Sequence, residues 1–585
     1  MTENHTPPIY APQYTVIHNC LYEIRSNRQG TYERKLCNFT PRLVSEILVD
    51  DGLETSTRIR LAGTHESGRS LPEIEITAEE LPSFNWLMKR WGMDCILEVG
   101  SSIKDSVRYA IQSTARYANR QTVYAVTGWR KIDGKWHFLM PGNAEISVSL
   151  PGKMQGYAMA SEFEPLDILA VSGMFDQLVA PKEIVYPLLA FTFLSPLNHF
   201  LKKAGCEPKF VLFLVGKTGS RKSTLAALML SFFGRFTASE LPLSFRDTAN
   251  SIIHNAFALK DVLTCIDDFH PSGRQQEVKL TETAQSIMRA YGDRTGKGRL
   301  RADSTPMESR PPQGNAIITA EFSPDIGESG TARYFALEIQ ESDVDLPNLS
   351  AFQREAADGT LQKCMLAYLN WLRDCFLYDD TAEKKFVSCL GQKFTAYRDT
   401  FRTSGILCHG RVPETVAWLR LGMEFLLLFL TDHRAMSETR SQYIQEDFQS
   451  ILCRLALKQA ANIIQDKPSH KFIRKLYALV ESKQVTILPR HHHSDFIPMN
   501  FIGYEDSDFY YLQKDAAHRA VRKLCEEQGE SFTISVSALL KSLAEEKLIV
   551  CDGSKNTKKL NLGTSSPRLV HLRKDAAQRI ADEVL

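Results

Sequence analysis

The segment "FVLFLVGKTGSRKSTLAALML", from Phe210 to Leu230, decides the fold of this chain. An apolar run ends at Gly216, a turn rich in Gly, Ser and Thr follows, and Lys222 opens an amphipathic stretch. A strand, a glycine-containing turn and a helix in this order form a loop whose backbone N–H groups converge on phosphates. The general pattern, G-x-x-x-x-G-K-[ST], has a glycine where this chain has Arg221.

This loop is predicted to bind ATP together with Mg²⁺. Lys222 is positioned to reach the β- and γ-phosphates, and the Ser223 hydroxyl to ligate the metal, while the helix that follows adds its positive dipole end. A left-handed conformation at Arg221 costs roughly 1–2 kcal/mol, which several phosphate hydrogen bonds of about 1.5–3 kcal/mol each outweigh. We therefore predict an active site rather than a binding scaffold with weak catalysis. The predicted nucleotide-binding residues are Gly216, Lys217, Thr218, Gly219, Ser220, Arg221, Lys222, Ser223 and Thr224.

Acidic and polar residues follow two later strands. "DVLTCIDDF" predicts a buried strand with Asp267 and Asp268 at its tip. We predict that Asp267 holds Mg²⁺ through water and that Asp268 polarises the attacking water, a role for which glutamate is commoner. "GNAIITAE" ends with Thr319 and Glu321. Thr319 is the predicted residue that orients the water or contacts the γ-phosphate, with Asn315 as the second candidate.

One arginine is predicted to act on a neighbouring subunit. Arg333 lies in "SGTARYFALEI", between a small-residue loop and a strand. An arginine in this place can stabilise the charge that develops as the phosphoryl group leaves. The alternative is an ordinary surface arginine.

Two basic segments are candidates for contact with DNA phosphates. The first is the glycine-containing loop in "RAYGDRTGKGRLRAD", and the second is the polar loop "DGSKNTKK" near the carboxyl terminus. Solvated charge runs are common, so both segments stay hypotheses at this point. The candidate residues are Arg294, Lys297, Arg299, Arg301, Lys555 and Lys558. The histidines in "HHHSD" (491–495) have no second ligand cluster near them in the sequence, and we do not assign them to a metal.

Composition restricts the class of protein. With 585 residues, 43% of them hydrophobic and 24% charged, the chain is predicted to form several globular domains. The net charge is +1, so binding to nucleic acid has to rely on local basic patches. The 12 cysteines show no C-x-x-C pair, which is typical of reduced intracellular thiols. No signal pattern or spanning apolar run is evident, so we predict a cytoplasmic protein without a membrane partner.

The pattern of apolar and polar residues changes along the chain and predicts an α/β multidomain protein with four parts. Residues 1–150 alternate in short runs and include the hairpin "TGWRKIDGKWHFLMPG", which predicts a β-rich module. Residues 151–345 alternate strands and helices, which favours a mainly parallel sheet. Residues 346–466 have helical periodicity. Residues 467–585 end in two helices, a strand, a polar loop and a strand, the outline of a winged helix.

Taken together, the motifs resemble one family. The chain resembles the nine-two-seven domain-of-unknown-function family of bacterial mobile-element and phage AAA+ ATPases. It contains, in the order found in that family, the upstream segment "TGWRKIDGKWHFLMPG" and then "GKTGSRKS", "SFRDTAN", "LKDVLTCIDDFHP", "GDRTGKGRLRAD", "RPPQGNAIITAE" and "SGTARYFALEI". The resemblance runs from roughly Leu71 to Gln340 and extends to staphylococcal cassette-chromosome helicases of MCM type. It implies a hexameric AAA+ ring with a C-terminal winged helix, the phosphate-loop and acidic roles given above, and a trans-acting role for Arg333.

The predicted function is therefore an ATP-dependent DNA motor. We expect a helicase that replicates a mobile element, acts on single-stranded or forked DNA and assembles as a homo-oligomeric ring. One alternative is a DNA-dependent ATPase that does not unwind, such as a loader, initiator or defence ATPase. The other is the nucleotide-binding scaffold, which the departures at Arg221 and Asp268 favour.

Overall fold

The computed structural model describes most of the chain. The described residues are 10–143, 145–270, 273–296, 299–300, 306–403, 408–491, 497–528, 530, 532–553, 555–562 and 565–582. The chain divides into two units according to its internal contacts. The first unit comprises Met1–Arg130 and Phe138–Ser161, and the second comprises Lys131–His137 and Glu162–Leu585. The boundaries predicted inside the second unit, near residues 345 and 466, stay a prediction.

The first unit is built mainly of strands. Its elements are β1 (Tyr14–Ile17), β2 (Cys20–Asn27), β3 (Gly30–Cys37), β4 (Phe39–Asp50), β5 (Thr55–His65), β6 (Ser70–Thr77), α1 (Asn85–Arg90), α2 (Ile103–Ser113), β7 (Asn119–Tyr124) and β10 (Ser147–Val148). The strands β8 (Gly128–Ile132) and β9 (Lys135–Leu139) lie partly in this unit, and Lys131–His137 between their outer ends is assigned to the second unit. A three-stranded sheet has the order β1-β2-β3 and a five-stranded sheet the order β10-β7-β4-β5-β6. The β-rich character predicted for the amino-terminal part is therefore confirmed.

The predicted hairpin is present as the two-stranded sheet β8-β9. Its turn residues Asp133 and Gly134 both have positive φ, 48° and 81°. Positive φ at both central residues is the requirement of a type I′ turn, whose twist matches that of the strands. The aromatic side chains Trp129, Trp136 and Phe138 are buried.

The second unit contains all the remaining elements. They are α3 (Pro165–Gly173), α4 (Lys182–Leu194), α5 (Asn198–Lys203), β11 (Val211–Val215), α6 (Lys222–Leu230), β12 (Leu243–Ser244), α7 (Ala249–Ala258), β13 (Leu263–Phe269), α8 (Arg274–Asp293), β14 (Arg299–Leu300), β15 (Pro306–Met307), β16 (Asn315–Ala320), α9 (Gly327–Thr331), β17 (Tyr334–Glu338), α10 (Leu346–Ala357), α11 (Thr360–Phe376), α12 (Asp380–Arg402), α13 (Arg411–Asp432), α14 (Glu438–Gln465), α15 (Pro468–Glu481), β18 (Thr486–Pro489), β19 (Phe501–Glu505), β20 (Phe509–Leu512), α16 (Lys514–Glu527), α17 (Val536–Glu545), β21 (Ile549–Val550), β22 (Lys558–Lys559), β23 (Arg568–Arg573) and α18 (Lys574–Asp582).

A five-stranded sheet positions the loop between β11 and α6. Its order is β12-β13-β16-β11-β17, and every neighbouring pair is parallel. Strands β11, β13 and β16 consist almost entirely of buried residues, as expected for a parallel sheet covered on both faces. Because the strands are parallel, their carboxyl ends meet at one edge, where ligands bind in open α/β sheets.

One described segment has the length and the apolar composition that a helix needs to cross a membrane. Among the described residues only Lys182–Lys203, which spans α4 and α5, passes that test, with a mean hydropathy of 1.4. Yet 94% of its apolar window is buried inside the fold. A helix that is apolar all round and buried on every side is typical of a protein core.

The carboxyl-terminal segments follow the predicted order of elements. Helices α16 and α17 precede β21, and β22 and β23 follow it. Strand β23 lies between β20 and β21 and also pairs with β22. Buried side chains of α15, α16, α17, α18, β20, β21 and β23 form one hydrophobic cluster.

Candidate nucleotide-binding site

The loop between β11 and α6 has the backbone that its sequence predicts. A Cβ atom at Gly216 would lie 2.4 Å from the Ile339 carbonyl oxygen and 2.5 Å from Ser220 Oγ, so only glycine fits there. Gly219 has a φ of 94°, and Arg221 has φ 62° and ψ 18°. The left-handed conformation expected at Arg221 is confirmed, and its side chain is exposed.

Helix α6 begins at the predicted lysine. Its first turn contains Lys222, Ser223 and Thr224, and no side chain caps its amino terminus. The first N–H groups of a helix have no partner inside the helix, and together with the dipole they favour an anion. The Lys222 ammonium lies 3.5 Å from the Lys217 carbonyl oxygen, and this loose contact leaves it able to turn toward a phosphate.

A bulge at the end of β13 arranges the acidic residues. The register between β13 and β16 shifts between Ile266 and Phe269, so Asp267 and Asp268 lie opposite the single residue Thr319. Asp267 Oδ1 accepts hydrogen bonds from Ser223 Oγ at 2.8 Å and from Thr319 Oγ1. The Asp268 amide in turn donates to Thr319 Oγ1 at 3.1 Å. The structure thus brings four predicted site residues into one connected network.

Asp268 itself turns toward the edge of the sheet. Its φ is 70°, and its Oδ2 accepts from Arg246 Nη2 at 3.2 Å. Arg246 follows the edge strand β12, and it was not singled out from the sequence. Its side chain is 85% exposed, and an exposed ion pair of this kind contributes little, about 0–1 kcal/mol.

Glu321 links the carboxyl end of β16 to the loop between β11 and α6. It follows Ala320, the last residue of β16, and accepts a hydrogen bond from the Thr218 hydroxyl. Its other oxygen lies 2.7 Å from His270 Nδ1. The hydrogen bond from Thr218, aided by His270 and Lys222, lowers the pKa of the Glu321 carboxyl below its usual value. The sequence showed Glu321 at a strand end but gave no sign of these partners.

These groups line a cleft at the carboxyl edge of the sheet. Its volume is about 310 Å³. The lining residues are Thr218, Gly219, Arg221, Lys222, Ser223, Thr224, Asp267, Asp268, Phe269, His270, Thr319, Ala320 and Glu321. The uncapped helix terminus and the ammonium fit a triphosphate, and the neighbouring hydroxyl and carboxylate oxygens of Ser223 and Asp267 are ligands that suit Mg²⁺. The donor set therefore fits Mg–ATP.

The second candidate for the sensing role is wrong. Asn315 is the first residue of β16, whereas the cleft lies beyond the last. Its side chain is buried and hydrogen-bonded to Asn198 and Ser195. Asn315 and Ala320 are five positions apart, and at about 3.3 Å per residue this places the two ends of the strand roughly 16 Å apart, so Asn315 cannot reach the cleft.

Arg333 also lies at the opposite end of the sheet from the cleft of its own chain. It precedes β17, and its carbonyl oxygen accepts from the amide of Val211, the first residue of β11. The guanidinium pairs with Asp293 through contacts of 3.0 and 3.1 Å, and Arg411 Nη2 contacts the same carboxylate at 2.9 Å. Arg333 therefore cannot serve its own phosphate loop.

Arg294 was predicted to contact DNA, and the structure contradicts this. Its side chain is 5% exposed, and its guanidinium donates to the carbonyl oxygens of Pro208, Pro312 and Gly314 at 2.8–2.9 Å. Burial lowers the pKa of this guanidinium, with Glu207 opposing the effect. Arg294 is a structural cation that holds the base of the loop.

The other DNA candidates are placed as follows. Arg299 belongs to β14, which pairs antiparallel with β15. Lys297 and Arg301 lie outside the described residues, as do His492 to Asp495 of the histidine run. Lys555 and Lys558 are exposed, so they remain candidates. In the part of the chain that the structure describes, no group of three or more His, Cys, Asp or Glu residues forms a metal site.

Comparison with known proteins finds a likeness to solved structures. No protein-family model and no curated protein sequence match the chain. The solved structure titled "SCCmec type IV Cch – active helicase" aligns with a TM-score of 0.58 at 12% identity, over 97% of this chain and 99% of that one. The fold predicted from the resemblance to cassette-chromosome helicases is thus confirmed as an α/β multidomain fold of that kind. Membership in the nine-two-seven family stays a prediction.

Two further structures align more weakly. A JCV helicase bound to a small acetamide compound has a TM-score of 0.21 at 15% identity, over 39% of this chain and 69% of that one. The NrS-1 C-terminal region has a TM-score of 0.22 at 11% identity, over 72% and 88%. Alignments with TM-scores this low do not support a common fold.

Proposed function

We propose that this chain is an ATP-driven DNA motor, a replicative helicase of a mobile genetic element with an AAA+ core. The observation that carries the proposal is the contact between Ser223 and Asp267 beneath the loop that ends in Arg221. It joins the first turn of α6 to the acidic strand, so one oxygen from each is placed to hold the Mg²⁺ of bound ATP. The whole-chain likeness to a helicase supports the same proposal.

The residues of the cleft have separate roles in binding and hydrolysing ATP. Lys222 and the N–H groups of the first turn of α6 bind the phosphates, and Ser223 and Asp267 hold the metal, which neutralises phosphate charge when bound. Thr319 fixes the orientation of Asp267 through its hydroxyl. Asp268 remains the residue predicted from sequence to polarise the attacking water.

A ring of subunits is the assembly that fits Arg333. Because Arg333 lies at the amino end of β17, a nucleotide that it contacts has to belong to another subunit, and its ion pair with Asp293 has to open for that contact. The order α16, α17, β21, β22 and β23 supports a carboxyl-terminal winged helix, with Lys555 and Lys558 on its polar loop as DNA contacts.

The test is ATP turnover by Lys222→Ala with and without single-stranded DNA. We expect turnover to fall at least about 100-fold, because the removed cation acts on the charge that develops on the transferred phosphoryl group. Lys209→Ala is the matched control, since exposed Lys209 precedes the other end of the same strand, and it should hydrolyse ATP like the wild type. Undiminished turnover by Lys222→Ala would place the active site elsewhere.

A forked duplex separates helicase from the alternatives. A helicase releases the displaced strand when ATP is present, and Lys222→Ala does not. DNA-stimulated turnover without strand release would favour a loader, initiator or defence ATPase instead. Binding of nucleotide without turnover would favour the scaffold.

A further inference from the structure

We infer that Glu321, rather than Asp268, is the carboxylate that accepts the proton of the attacking water during ATP hydrolysis. The inference rests on the proposed function and changes the assignment within it. The sequence places Glu321 at the end of a predicted strand, but it does not show that this end lies beside the loop. That position follows from the order of strands in the sheet.

The sheet order separates the two carboxylates. Strand β16 lies between β13 and β11, so a residue at its carboxyl end is next to the phosphate loop. The Gly216 amide donates to the Ala320 carbonyl oxygen at 3.0 Å, immediately before Glu321. Asp268 is the next-to-last residue of β13, one strand further from the loop, and it is paired with Arg246 beyond the edge strand.

The contacts of Glu321 direct its carboxylate at the loop. One oxygen accepts from the hydroxyl of Thr218, which lies between Gly216 and Gly219 in the part of the loop that wraps the phosphates. The other oxygen contacts His270 Nδ1 at 2.7 Å, and this second contact fixes the plane of the carboxylate. Glutamate also has one more methylene than aspartate, so it reaches further from the strand end.

The charge state of Glu321 suits a proton acceptor. The pKa of this carboxyl lies below its usual value because of the hydrogen bond from Thr218, and the Lys222 ammonium contributes to the same effect. The side chain is 22% exposed, so it is in contact with water without being fully solvated. A carboxylate that is ionised at neutral pH and faces the cleft can accept a proton from water.

The chemical step balances with ATP and water alone. The water oxygen forms a bond to the γ-phosphorus while the bond from that phosphorus to the bridging oxygen breaks, and its electron pair stays on ADP. Glu321 accepts one proton of the water and afterwards releases it to solvent. His270 acts as a positioning residue, because it touches the carboxylate and not the reacting atoms.

The experiment compares Glu321→Gln with Asp268→Asn. Glutamine keeps an oxygen for the Thr218 hydroxyl and removes the basic carboxylate. We expect Glu321→Gln to lower kcat for DNA-stimulated hydrolysis about 100-fold or more. Its Kd for a fluorescent ATP analogue should stay within about threefold of the wild type, because the group acts on the reaction rather than on binding. Asp268→Asn should be at least about tenfold less impaired in kcat than Glu321→Gln.

The matched control is Glu338→Gln. Glu338 lies opposite Val215 on the other neighbour of β11, at the same level of the sheet, and it pairs with Lys458 rather than with the loop. Its kcat should equal that of the wild type. If Glu321→Gln hydrolyses ATP as fast as Asp268→Asn or faster, or loses nucleotide affinity in proportion to kcat, the inference is overturned while the proposed function stands. If the wild type shows no turnover that depends on Lys222, both fail together.

Discussion

Replacement of Arg294 tests whether the base of the basic loop is a structural element or a DNA contact. In Arg294→Ala the carbonyl oxygens of Pro208, Pro312 and Gly314 lose their donor, and Glu207 loses the cation 3.7 Å away. Arg294→Lys retains the charge, but a single ammonium cannot reproduce the planar fork that contacts three carbonyls.

The expected magnitude follows from burial. Each hydrogen bond to a charged donor contributes about 1.5–3 kcal/mol net, so three bonds set an upper range of roughly 4.5–9 kcal/mol. The desolvation of the guanidinium offsets part of this, and removal of one partner from a buried pair typically costs about 3–5 kcal/mol. We expect Arg294→Ala to lower the free energy of unfolding by about 3–5 kcal/mol, with Arg294→Lys losing at least about half of that.

The assay is urea unfolding followed by tryptophan fluorescence, together with DNA binding by the folded protein. Arg289→Ala, an exposed arginine on α8, is the control and should change the free energy of unfolding by less than about 0.5 kcal/mol. If Arg294→Ala unfolds at the wild-type urea concentration and loses DNA affinity that Arg294→Lys keeps, the structural role is refuted.

Two further predictions concern assembly and acid stability. Mixing Arg333→Ala with Lys222→Ala subunits should restore part of the ATP turnover that each lacks alone, because one intact cleft then meets one intact arginine; turnover that stays absent at every mixing ratio would argue against a shared site. Although burial raises the pKa of Glu546, hydrogen bonds from His470 and Ser469 outweigh it and hold the pKa at about 2. Its contribution to stability is therefore complete above the ordinary pKa of 4.5 and is lost as the pH falls toward 2. Urea midpoints from pH 6 to 2 should fall less steeply for Glu546→Gln than for the wild type, and parallel curves would contradict the assignment.

The conformation of the loop between β11 and α6 could be predicted because it depends on residues that are neighbours in the sequence. The strand, the turn glycines and the left-handed residue at Arg221 all follow from neighbouring residues, and each is present. The proximity of Asp267 and Ser223 could also be predicted, since the carboxyl ends of parallel strands lie at one edge of the sheet.

The errors came from positions that depend on strand direction or on burial. Asn315 starts its strand and Thr319 nearly ends it, so strand direction alone separates the two candidates. Arg294 lies in a basic run that suggests solvent exposure, yet carbonyl groups from three distant positions surround it. Such contacts depend on tertiary packing, which a charge pattern does not encode.

The contacts that redirect the catalytic assignment depend on the order of strands. Asp268 meets Arg246 and Glu321 meets Thr218 because β13 and β16 have different neighbours in the sheet. The sequence gives the strands in chain order, and the chain order differs from the order in space.

Calorimetric titration with a non-hydrolysable Mg–ATP analogue is the measurement that addresses the central claim most directly. The wild-type protein should bind one analogue per chain, and Lys222→Ala should bind it far more weakly, while Lys209→Ala should match the wild type. Equal affinity in wild type and Lys222→Ala, or no binding by the wild type, would mean that the loop ending in Arg221 does not hold a triphosphate.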